Sequence, residues 1–83
     1  MTAYEIVNDV ANKLGVSREI KEDAVLFAMM TATNHHVNQK RNLTKDEAHI
    51  VRMYFRTLLH RLMDDAEYRS ELRKEIERRV ERN

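Results

Sequence analysis

The chain predicts an all-α fold: a compact bundle of four helices, with the second helix central. Three observations carry this. The 83 residues include one glycine and no proline, so residues that break helices or turn the chain sharply are nearly absent. Apolar residues recur at three- and four-residue spacing over long stretches, the period of a helix with one packed face. A helix-start signal precedes each of those stretches. The predicted helices span about 3–14, 18–37, 45–63 and 66–81 in a single domain.

Thr2 and Glu5 stand at capping-box spacing, and Ile6, Val7, Val10, Ala11 and Leu14 form the stripe of the first helix. Gly15 follows the last periodic residue, where a left-handed stop is expected, with Val16 covering the final turn. Ser17 caps the second helix. That helix begins amphipathic around Ile20 and becomes apolar on all sides through Ala24–Met30, which argues for a central place. A polar stretch, Asn34 to Asn42, is the one loop of any length. Thr44 and Glu47 repeat the capping-box spacing before the third helix, whose stripe is Val51, Phe55, Leu58, Leu59 and Leu62. Asp64 and Asp65 open the fourth helix, which carries one apolar residue per turn at Tyr68, Leu72, Ile76 and Val80. So thin a stripe suits the edge of the bundle or pairing with a second copy of the chain. The predicted core is Ile6, Val10, Leu14, Ile20, Val25, Phe27, Ala28, Val51, Phe55, Leu58 and Leu62.

Charged residues make up 35% of the chain, yet the net charge is +1, which argues against indiscriminate polyanion binding. The distribution is less even: residues 1–23 sum to −2, residues 38–63 to +4 and residues 64–83 to −1. There is no cysteine, hence no disulfide and no thiolate metal site. The N-terminal Met-Thr-Ala-Tyr-Glu lacks the pattern of a signal peptide. The longest apolar run, Ala24–Met30, is far shorter than the roughly 20 residues that span a bilayer. A cytoplasmic protein is expected.

Val10-Ala-Asn-Lys-Leu-Gly-Val-Ser17, followed by Arg18-Glu19-Ile20, resembles the middle of a bacterial helix-turn-helix. Ala11, Leu14, Gly15, Val16, Ser17 and Val25 fall where that family places them. Lys21 stands where the family buries a branched apolar residue, and the apolar slot has moved to Ile20. The resemblance implies a dimeric DNA-binding regulator touching DNA through Ser17, Arg18 and Lys21. Against it, the acids Glu19, Glu22 and Asp23 would face phosphates. A glycine-ended helix followed by a serine-capped one requires the same residues.

The four histidines do not form a metal motif. His35 and His36 would point about 100° apart on a helix, and His49 and His60 lie roughly 16 Å apart along one. No metal or other cofactor is expected. Nor does the chain read as an enzyme: one glycine excludes a phosphate-binding glycine-rich loop, and the adjacent pair Asp64 and Asp65 is accounted for as a cap.

The third helix has the strongest functional pattern. Between Ala48 and Met63 there is no acidic residue, and Arg52 and Arg56 lie one turn apart, flanked by His49 and His60. Lys40, Arg41 and Lys45 stand just upstream. The expected function is therefore a small non-enzymatic adaptor or inhibitor, of the size of many bacterial and phage interaction proteins. It would dock an acidic protein through Lys40, Arg41, Lys45, His49, Arg52, Arg56 and His60. Self-association is expected through Tyr68, Leu72, Ile76 and Val80.

Overall fold

A computed structural model of the protein describes residues 1–30 and 42–82. Among the described residues there are four helices and no strand: α1 (Ala3–Leu14), α2 (Arg18–Met30), α3 (Lys45–Asp64) and α4 (Ala66–Arg82). All four begin where the start signals predict. The predicted continuation of the second helix to residue 37, and residues 34–41 of the polar loop, lie outside the described residues.

The caps explain these boundaries. The Glu5 backbone N–H donates to Thr2 Oγ1 at 3.3 Å, while the Glu5 carboxylate takes the Thr2 hydroxyl rather than its amide, so only half of the box predicted there forms. The box at α3 is complete. The Glu47 N–H donates to Thr44 Oγ1 at 3.2 Å, and the Thr44 N–H donates to Glu47 Oε1 at 3.0 Å. Each residue's side-chain oxygen thereby accepts from the other's backbone N–H. Gly15 ends α1 at φ 69°, with its own N–H on Asn12 O and the Val16 N–H on Ala11 O. This is the paired Schellman stop, and a side chain at that φ would be strained. Ser17 Oγ accepts from the Ile20 N–H and opens α2 immediately afterwards.

Between α3 and α4 a single residue does both jobs. The Asp65 N–H donates to Arg61 O and closes α3, while Asp65 Oδ1 accepts from the Tyr68 N–H and opens α4. Close to the N-terminus, the Leu43 N–H donates to Met1 O at 3.0 Å, so the segment entering α3 is held beside the start of α1.

Helices α2 and α3 each touch all three of the others, whereas α1 and α4 do not touch each other. The second helix is central, as its apolar run predicts, but it shares that place with α3. The largest fully buried side chains come from α3 (Phe55, Leu59, Leu62, Val51) and α1 (Ile6, Val7). Helix α2 buries Ile20, Ala24 and Ala28, and turns Leu26 and Met29 to solvent. Its apolar run is therefore not covered on all sides. A bundle this small has too few neighbours to surround one helix.

Of the predicted core, Ile6, Val10, Ile20, Ala28, Val51, Phe55, Leu58 and Leu62 are buried, and Leu14, Val25 and Phe27 pack against it partly exposed. Leu72 and Ile76 of α4 join it, each 6% exposed. Two of the four residues of the expected self-association seam are thus inside the chain. Tyr68 is half-buried against the core, and Val80 is the one exposed member, at 54%.

Candidate functional site

The outward side of α3 follows from what its inward side uses. Val51, Phe55, Leu58, Leu59 and Leu62 take the buried arc. At 100° per residue, His49, Arg56 and His60 then fall together on the solvent side, within an arc of about 40°. All three are exposed, as is Lys45 in the first turn. Lys40 and Arg41 lie outside the described residues.

Arg52 behaves differently from the other predicted cations. One of its guanidinium nitrogens lies 3.0 Å from Asp9 Oδ2 on α1, and Lys13 Nζ approaches the same oxygen at 3.2 Å. The hydrogen bond from Arg52, then that from Lys13, hold the Asp9 carboxyl below its ordinary pKa. Arg52 is thus a tie between α1 and α3 whose charge is already answered by the acidic first helix. Arg56, one turn on, makes no ion pair among the described residues. With Val10, Lys13, Leu14 and Arg52 it lines an open recess of about 300 Å³ between α1 and α3.

The same face has an apolar half. Ile50 is 54% exposed and Met53 52%, with Tyr54 beside them also exposed. Together with Thr57 and Arg61 they lie within an arc of about 100°, next to the His49–Arg56–His60 line. The Tyr54 ring meets Phe55 edge to face at 5.1 Å, which anchors it to the core beneath. Partial burial, with the neighbouring Tyr68 second, raises the Tyr54 hydroxyl pKa above its ordinary value. Across the α3–α4 junction, the Arg61 guanidinium sits 3.9 Å over the Tyr68 ring. Met53, Tyr54, Thr57, Leu58, Arg61 and Tyr68 line an open recess of about 410 Å³. Residues Ile50, Met53 and Tyr54 were not among the predicted site residues. The spacing of Ile50, Met53, Tyr54, Thr57 and Arg61 is a second helical stripe, and it was readable as such.

The segment that resembles a helix-turn-helix uses its polar residues locally. Ser17 caps α2, Arg18 Nε lies 3.0 Å from Glu22 Oε1, and Lys21 is half-buried in a recess between α1 and α2 with Asn8, Val25 and Leu26. Two of the acids expected to face phosphates instead face α4. Arg73 bonds Glu19 and approaches Asp23 at 3.4 Å. Asp23 is only 8% exposed. These carboxylates, Asp23 foremost, raise the Arg73 pKa above its ordinary value.

Among the described residues no three His, Cys, Asp or Glu side chains converge as metal ligands; His35 and His36 lie outside them. Among the described residues no helix is long and apolar enough to cross a membrane. No protein-family model matches the chain, and neither a curated protein nor a solved structure shows significant similarity to it.

Proposed function

We propose that this chain is a non-enzymatic docking module that binds the acidic surface of another protein through the outer face of α3, in the manner of an adaptor or an inhibitor. One observation supports it most: exposed Ile50, Met53 and Tyr54 lie against exposed His49, Arg56 and His60, on a stretch of helix with no acidic residue. Scattered single apolar residues on a surface need no explanation, but a contiguous strip does. Apolar area with a polar rim is the composition of a protein interface, with Tyr, Met and Arg among its enriched residues. Phosphate binding alone would call for the cations and not for the strip. A cytoplasmic setting is part of the proposal, in keeping with a chain that has no cysteine.

The test is a tagged pull-down from host lysate treated with nuclease, comparing the wild type with Arg56→Glu combined with His60→Glu. Both residues are exposed, so the double variant should melt as the wild type does. A stoichiometric protein retained by the wild type and lost by the variant is the expected result. Retention by both would remove this face from the reading. Nuclease-sensitive retention of DNA would favour a regulator acting through the 10–25 segment.

A further inference from the structure

The outer face of α3 has an order to it. The apolar strip runs from Ile50 through Met53 and Tyr54 to the recess at Tyr68. On one flank stand His49, Arg56 and His60, and Arg61 stands within the strip at its C-terminal end. The Arg61 guanidinium carbon lies 3.9 Å from the centre of the Tyr68 ring, a cation–π contact at the α3–α4 end of the strip. Arg56, with His49 and His60, therefore borders the strip along one side, and Arg61 closes its C-terminal end. From Ile50 to Arg61 the strip is about 16 Å long, the length of three helical turns.

The form of the occupant follows from the backbone. Among the described residues there is no strand and so no sheet edge to pair with. An extended segment laid on this strip would leave its own N–H and C=O groups facing apolar side chains without partners. A helix satisfies those groups internally and presents anchors at i, i+3 or i+4, and i+7. We infer that the face between α3 and α4 receives an acidic amphipathic helix of the partner, about three turns long, seating one large apolar side chain among Met53, Tyr54, Leu58 and Tyr68 with carboxylates toward Arg56 and His60 on one flank and Arg61 at its end. The inference rests on the docking reading above and adds the shape and chemistry of the bound element.

Three designed peptides serve as probes, with binding read by the amide resonances of isotope-labelled protein. The first is a helix-forming peptide with Leu and Phe on one stripe and Glu bordering it. The second has the same composition in an order that abolishes the stripe, and the third replaces every Glu by Lys. The first should perturb the amides of Met53, Tyr54, Thr57 and Tyr68 saturably. It should bind at least tenfold more tightly than the second, and the third should not bind. Met53→Glu places an acid in the strip at an exposed position and should weaken the first peptide at least tenfold without lowering the melting temperature.

Equal binding of the first two peptides would overturn the helical occupant and leave an acidic partner standing. Equal binding of the first and third, or perturbation confined to α2, would overturn the docking face itself. Peptide-free shifts of the Met53 and Tyr54 amides that grow with protein concentration would assign the face to a second copy of this chain and overturn the inference.

Discussion

Helices α3 and α4 both carry many cations, and they are used in opposite ways. In α4 the Arg and Lys residues alternate with acids. Arg78 and Arg79 both reach Glu75 on their own helix, at 2.9 and 3.1 Å, and Arg73 is held by Glu19 and Asp23 of α2. In α3 no acid lies between Ala48 and Met63, and among the described residues only Arg52 of that stretch has a carboxylate partner, Asp9, supplied by a neighbouring helix. The difference teaches that a helical cation is open to a foreign partner only under two conditions. Its own helix must offer no acid three or four residues away, and no neighbouring helix may reach it. Arg56 meets both and Arg52 fails the second, although the two are one turn apart.

The largest effect that bears on this comparison concerns the platform. Phe55 is fully buried beneath α3. Its truncation to alanine should cost about 3–5 kcal/mol, enough to unfold a domain whose total is roughly 5 kcal/mol. A circular-dichroism melt unchanged in Phe55→Ala would mean that the inward and outward sides of α3 are both misassigned.

Next comes the contrast in partner capture. Arg56→Glu with His60→Glu should abolish it, whereas a matched reversal on the mixed-charge face of α4, Lys74→Glu with Arg78→Glu, should leave it intact. Loss in both, measured in parallel pull-downs, would show that net charge and not the α3 face is being read.

The third contrast is in stability. Arg73→Gln should lower the melting temperature, because it strands the buried Asp23 without a cation. Arg56→Gln should leave it unchanged. Equal melting temperatures would erase the distinction between tying and free cations.

The smallest effect is the pH dependence of the α1–α3 tie. Asp9 has a lowered pKa in the folded chain, so its contribution is present above the unfolded value, about 3.9, and is lost as pH falls through the folded one. Asp9→Asn should therefore melt below the wild type at pH 7, and the two should converge as the solution is acidified below about pH 4. A constant gap across that range would assign the difference to something other than the carboxylate.

All four helix starts were legible in the sequence because caps are local. Thr44 and Glu47, Ser17 and Ile20, and Asp65 and Tyr68 are each three residues apart, and Gly15 meets only its own last turn. The buried stripe of α3, Val51, Phe55, Leu58, Leu59 and Leu62, was legible for the same reason, as was the lack of acids between Ala48 and Met63. The apolar half of the outer face was there to be seen at Ile50, Met53 and Tyr54. Yet periodicity does not say which of two apolar stripes on one helix is buried.

The amino-acid sequence by itself determined where the helices start, which face of α1 and α3 is apolar, and where positive charge accumulates, since each depends on residues within a turn or two of one another. Only the tertiary structure decided that Leu72 and Ile76 belong to the core, that Leu26 and Met29 face solvent, and that Arg52 and Arg73 are answered by Asp9, Asp23 and Glu19. Those outcomes join residues as far as 54 positions apart, such as Glu19 and Arg73. Which acid reaches which cation across such a distance depends on how the helices stack, a property of the assembled bundle.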